Sequence, residues 1–242
     1  MAMNMVLEHG HTQSEIARRL ADRPRASYLR DWVYGGIDGA VTTFAVAAGV
    51  AGASLSPGIV LVLGGANLLA DGFSMAAANY SGTKSEREEF DRLLQVERKH
   101  IALAPDGERE EIRQAFAKKG FSGEELERIV ATISSNESGW ALTMMLEEYG
   151  LAPVLRSPAV AALNTFAAFA TFGAIPLIPY LLGGGFLWSA VATGAAFFVI
   201  GSARSRWSLR SPLISGLETL LIGGAAATLA YAAGVLLGEI WK

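Results

Sequence analysis

The sequence predicts an all-α, polytopic membrane protein, with five transmembrane helices and a helical, water-facing insert between the second and third. Three observations lead there. Residues 84–128 hold 12 acidic and 10 basic side chains, about half of the chain's charge. That block lies between apolar regions at 32–80 and 151–203, and a further apolar run begins at Pro212. A charge at the bilayer centre costs roughly 3 kcal/mol or more, so the block belongs in water while its flanks do not. Finally, the chain is 51% hydrophobic but only 18% charged, a low share for a soluble domain of this length.

Composition also excludes functions. There is no cysteine, which removes disulfides, thiolate metal sites and cysteine nucleophiles. Any metal must be held by carboxylate, imidazole, thioether or backbone oxygen. A net charge of −3 gives no footing for nucleic acid. The first 30 residues are polar, without the apolar core of a cleavable signal, so the first span is expected to serve as the targeting signal.

The elements follow in order. Residues 1–30 contain Glu8, His9, His11, Glu15, Arg18, Arg19, Arg23 and Arg25, with Ile16 and Leu20. They read as a short amphipathic segment on the membrane surface, ended near Pro24. The two histidines fit a solvated tail as readily as a metal site. The first span is 33–53, close to the ~20 residues a crossing needs. Ser54 to Pro57 make a turn, and 58–80 is the second span. Its helix is expected to run past Lys84 into water, although Gly82 weakens it.

The insert divides into a helix ending near Leu103, a second over 106–119 stopped by Gly120, and a third from Ser122 to about Ser134. Ser122-Gly-Glu-Glu125 reads as a capping box. A further amphipathic segment, 137–149, leads to the third span at 158–182, which Pro176 and Pro179 interrupt. Gly183–Gly185 turn the chain into a fourth span, 186–203, and 212–240 is the fifth. The resulting divisions are 1–30, 31–82 (first two spans), 83–150 (insert) and 151–242 (last three). Arginines cluster in the N-terminal segment and at Arg204, Arg206 and Arg210, while the opposite turns have none. The positive-inside rule therefore puts the N-terminus and the insert in the cytoplasm and the C-terminus outside.

Ionisable groups inside the spans are functional candidates. Asp38 lies about five residues into the first span, and Asp31, Gly35, Asp38 and Thr42 share a helix face. In the second span Asn67, Asp71, Met75 and Asn79 recur every four residues and form one stripe. A carboxylate, amide and thioether stripe opposite Asp38 suits passage of a cation; polar glue between helices is the bland alternative. Gly35/Gly39 and Gly72/Ala76 would let helices approach closely, which fits a tight pair of spans or a dimer seam. In the insert Glu97 and His100, Glu108 and Glu111, and Met144 and Glu148 pair at helical spacing and can converge on a metal. Each also fits a solvated face laced with ion pairs. Glu97-x-x-His100 matches one half of a di-iron motif, but no second half exists, so an oxidase is not expected. Glu218, near the start of the fifth span, reads as an orienting partner for Arg204, Arg206 or Arg210.

Four runs carry a resemblance. Arg30-Asp-Trp-Val-Tyr-Gly-Gly-Ile-Asp-Gly39 and Leu68-Leu-Ala-Asp-Gly-Phe-Ser-Met75 resemble the first- and second-span signatures of the vacuolar iron transporter family. Pro105-Asp-Gly-Glu-Arg-Glu-Glu111 resembles an element of its cytoplasmic metal-binding domain, and 140–151 resembles its lead into the third span. The resemblance implies a five-span homodimer that moves Fe²⁺ and often Mn²⁺ out of the cytosol in exchange for protons. It assigns Asp38 and Met75 as intramembrane ligands, and Glu97, Glu108, Glu111, Met144 and Glu148 to the cytoplasmic site. His100, Met145 and Asn67 stand where relatives can carry Glu. With an imidazole, metal binding should fall at acidic pH. The family's variant with a ferritin-like N-terminal domain is not expected, because 30 residues precede the first span.

The function expected is export of Fe²⁺ and/or Mn²⁺ by proton antiport across a bacterial-type inner membrane. The transport path would comprise Asp38, Met75, Asn67 and Asp71, with Asp38 exchanging the proton. The metal residues would be Glu97, His100, Glu108, Glu111, Met144 and Glu148. No enzymatic activity, organic cofactor or nucleic acid is expected; the partners are divalent ions, protons, the bilayer and a second copy. The competing expectation is a membrane-anchored metal-binding scaffold without flux.

Overall fold

The computed structural model describes residues 10–21, 26–153 and 155–240, apart from the side chain of Trp207. All regular structure among them is helical. Helix α1 spans Gln13–Ala21 and buries no side chain. Thr12 and Glu15 form a capping box there: Thr12 N–H donates to Glu15 Oε2 at 3.1 Å and Glu15 N–H to Thr12 Oγ1 at 3.3 Å. Glu8, His9, Arg23, Pro24 and Arg25, part of the amphipathic segment expected from sequence, lie outside the described residues.

Five helices are long and apolar enough to cross a membrane. They include α2, Leu29–Gly52, and α3, Pro57–Leu103. α3 runs unbroken for 47 residues. Its first half is apolar and its second half is charged, so one rod joins the spans to the insert. Gly82 does not end it: the ~1 kcal/mol that a mid-helix glycine costs is outweighed by later packing, in which Phe90, Glu97 and Ile101 are buried.

The charged half continues as α4, Pro105–Lys118, α5, Gly123–Ser134, and α6, Glu137–Glu147. Gly120 at φ 98° stops α4, and Phe121 N–H returns to the Phe116 carbonyl. The expected box at Ser122 does not form. Ser122 makes no side-chain cap bond, because Gly123 opens the helix at φ 58° and turns the chain away from capping geometry. The cap sequence did not reveal is Asn136, whose Oδ1 accepts from Gly139 N–H at 3.2 Å. One core joins these elements: Ile101 of α3, Ile112 of α4, Leu126 and Val130 of α5, and Trp140, Ala141 and Met144 of α6. Residues 137–149 are therefore not merely a lead to the third span. Four helical segments share the core, where three helices were expected.

The third crossing is α7, Pro158–Ala174, followed by a 3-10 turn at Ile175–Leu177 and a short α8, Ile178–Leu181. Pro176 and Pro179 cause that break, since proline supplies no N–H to the helix ladder. Helices α9, Phe186–Arg204, and α10, Pro212–Ile240, complete the set.

Helix α2 is the central crossing. Its longest seam is with α7, its next with α10, and both exceed its contact with α3. Glycine makes these seams possible. A Cβ on Gly35 would sit 2.5 Å from the Thr165 carbonyl oxygen, and one on Gly39 would strike the backbone of Phe169. The tight pair of spans that these glycines fit is α2 with α7. Gly35 and Gly39 open α2 to α7, and Gly72 of α3 faces Phe166 and Phe169 of α7 as well. Small residues show how near a neighbour comes, not which neighbour it is. The outer faces of α3 and α10 stay apolar and exposed, as at Leu69, Phe73, Leu221, Leu229 and Leu236, which suits lipid or another apolar helix surface.

Candidate metal path and carboxylate cluster

Helices α2 and α3 are antiparallel and joined by a short turn, and their polar stripes meet in register. Asn67 Nδ2 donates to Thr42 Oγ1 at 3.1 Å and reaches Thr43 Oγ1 at 3.5 Å. One turn further along α3, Asp71 lies close enough to act electrostatically on Asp38. Another turn on, Met75 lines a cavity of about 310 Å³ with Asp31, Tyr34, Asn79 and Glu86. Asp38 is half-buried, and its carbonyl accepts from Thr42 Oγ1 at 2.9 Å. Asn67, Asp71 and Met75 thus descend α3 as Thr42, Asp38 and Tyr34 ascend α2.

Asn79, the fourth residue of the stripe, has a different task. Its Nδ2 donates to Asp31 Oδ1 at 2.8 Å and Thr165 Oγ1 at 2.7 Å. Asp31 also pairs with Arg156, and both are largely buried. Arg156 in turn lies over the Tyr28 ring at 5.4 Å, and the Tyr28 hydroxyl accepts from Ser157 N–H at 2.8 Å. Here α2, α3 and the start of α7 are clamped by one satisfied carboxylate. Asp31 is therefore structural, although it shares a helix face with Asp38. Sequence reasoning passed over Arg156. Its signal was isolation: it is the only Asp, Glu, Lys, Arg or His between Glu148 and Arg204.

In the charged half, where both α4 and α6 pack on α3, Glu97 of α3 is completely buried and Glu108 of α4 almost so. His100 Nδ1 lies 3.5 Å from Glu108 Oε1 and 4.0 Å from Glu97 Oε1. The Tyr149 hydroxyl donates to Glu97 Oε1 at 2.9 Å, a contact sequence did not suggest. Glu111 and Glu148 are exposed, yet both act on Glu97 and Glu108 through their charge. Burial, joined by Glu111 and Glu97, pushes the Glu108 carboxyl up to about 7. Burial raises Glu97 too, against the lowering effect of the Tyr149 bond. Glu97 Oε2 and Glu108 Oε2 are buried without any hydrogen-bond donor. Two orphaned acceptors among four carboxylates and one imidazole are chemically suited to a divalent cation.

The six residues expected to hold metal are not equally placed. Glu97, His100 and Glu108 come together, with Glu111 and Glu148 around them. Met144 is packed within the apolar core of α4, α5 and α6. Met145 is buried as well. Among the described residues, no group of three or more His, Asp or Glu side chains is placed to hold a metal ion as it stands.

Glu218 pairs as expected with two of the three arginines: its Oε2 accepts from Arg204 and Arg210, each at 3.0 Å.

The VIT family model matches residues 29–235. The chain is 33% identical over 208 residues to "Vacuolar iron transporter 2" of Oryza sativa subsp. japonica, covering 84% of this chain and 85% of the relative. It is 33% identical to "Vacuolar iron transporter 1" of Arabidopsis thaliana, covering 84% and 83%. With "Vacuolar iron transporter" of Toxoplasma gondii it shares 31% over 226 residues, covering 88% and 75%. The family match runs over most of the chain, the relatives are covered over more than two thirds of their length, and the chain belongs to the VIT family.

Proposed function

We propose that this protein exports a divalent metal ion, Fe²⁺ and/or Mn²⁺, from the cytosol in exchange for protons. The observation that carries this reading is the register of α2 and α3, which sets Asn67, Asp71 and Met75 against Thr42, Asp38 and Tyr34. Such a ladder offers a dehydrating cation oxygen and thioether ligands one turn at a time. Asp38 replaces part of the hydration shell and exchanges a proton for the metal, with Asp71 as the neighbouring charge that the cation must neutralise.

The charged helices serve as the collecting site. Glu97, His100, Glu108, Glu111 and Glu148 concentrate cations near the end of the path, because clustered negative charge raises the local cation concentration. That end carries Arg30, Arg204, Arg206 and Arg210, while the opposite turns are uncharged, which supports a cytoplasmic placement in a bacterial inner membrane. Asp38 is only half-buried and the neighbouring α3 face is apolar and exposed. A second copy packed there would enclose the path, which favours a homodimer.

Reconstitution in proteoliposomes tests the reading. Asp38→Ala is expected to abolish Fe²⁺ and Mn²⁺ flux and the coupled internal pH change, with helicity and oligomeric state unaltered. Wild-type flux in that variant would refute the role of Asp38. Metal binding by the wild type without any flux would instead identify a membrane-anchored metal-binding scaffold.

A further inference from the structure

A second concave site adjoins the first along α2, sharing Arg30 and Tyr34 with it. It is a groove of about 860 Å³ at the charged end of the spans, between α2 and the turn that joins α9 to α10. Its polar wall carries Arg30, Arg204 and Arg210, and its apolar wall carries Val33, Ile37 and Leu209. Three guanidinium groups face one carboxylate there, Glu218, which Arg204 and Arg210 already share. Arg30 has no carboxylate within ion-pair distance among the described residues; it lies over the Tyr34 ring at 5.3 Å. Leu209 is fully exposed in the groove and Tyr34 is exposed in its wall, as residues of a membrane interface are.

We propose that this groove binds the headgroup of an anionic phospholipid. Arginine forks match phosphate oxygens bidentately and retain their charge at any working pH. The surplus positive charge attracts an anionic headgroup, and Val33 and Ile37 continue the groove into the hydrocarbon as a track for an acyl chain. The apolar wall favours a lipid over free phosphate, which has nothing to bury against it. A second copy of the chain fits poorly, because two-fold pairing of this face would set arginine against arginine. This site is independent of the identity of the transported ion.

Native mass spectrometry of the purified full-length chain tests the site, using phosphatidylglycerol and phosphatidylcholine with identical acyl chains. Phosphatidylglycerol adducts are expected to exceed phosphatidylcholine adducts by about tenfold. The Arg30→Gln/Arg210→Gln variant should lose that preference, while Arg113→Gln, on α4 and distant from the groove, should keep it. Equal binding of the two lipids by the wild type would overturn the proposal. So would an unchanged preference in the double variant, or displacement of the lipid by inorganic phosphate in molar excess. A double variant that dissociates a dimer while keeping its lipid preference would assign the groove to a protein contact and also overturn it.

Discussion

Glu108 gives a prediction in which stability and metal binding move in opposite directions. Its carboxyl is almost fully buried and is pushed up to about 7 from an ordinary 4.5, mainly by burial and then by Glu111 and Glu97. A raised folded-state pKa means that the folded protein holds the proton more tightly than the unfolded chain does. The favourable linkage is therefore complete below pH 4.5 and is lost as pH rises through 7. The interval of about 2.5 units corresponds to roughly 3 kcal/mol, or about three hundredfold in a local opening equilibrium. Glu108→Gln keeps the shape and cannot ionise. At pH 8 without metal, α4 amides of this variant should exchange hydrogen up to about three hundredfold more slowly than wild type, by mass spectrometry. At pH 4.5 the two should match within a few-fold. Adding Mn²⁺ at pH 8 should slow exchange in wild type and have much less effect in the variant, since a ligand is gone. Equal exchange of the two metal-free proteins at pH 8 would refute the assignment of a strained, ionised Glu108.

Two further predictions concern the scaffold. Arg156→Met leaves Asp31 buried with Asn79 as its remaining donor, and breaking such a pair costs about 3–5 kcal/mol. The unfolding midpoint in detergent should fall clearly and should recover in large part when Asp31→Asn is added. A recovered midpoint is the signature of an uncompensated charge; no recovery would show that Arg156 acts by packing. Gly39→Ala would drive a methyl group into the Phe169 backbone, which cannot move aside as a flexible side chain can. The α2–α7 seam must open, so the variant should lose at least about 1–3 kcal/mol, whereas Gly58→Ala, where a Cβ meets open space, should be close to neutral.

Much of the site was legible because helical spacing is a local property. Four-residue recurrence in 67–79 placed Asn67, Asp71, Met75 and Asn79 on one face, and the register of α2 and α3 follows from the short turn between them. Spacing could not separate ladder from clamp. Asp31 and Asp38 share a face, yet Asp31 is neutralised by Arg156, which lies 125 positions further along the chain. Likewise Glu97, Glu108 and Met144 look equivalent as spaced ligands. Packing of α3, α4 and α6 leaves the two carboxylates buried with orphaned oxygens and commits Met144 to the core.

Sequence alone determined the five crossings, the charged continuation of α3 and the break at Pro176 and Pro179. Each depends on the solvation or backbone chemistry of neighbouring residues, which is encoded where it acts. Tertiary structure decided that α2 leans on α7 rather than α3, that Tyr149 holds Glu97, and that Arg156 silences Asp31. Those outcomes depend on which distant surfaces meet, and long-range contact is set by the packing of the whole bundle rather than by any one stretch of it.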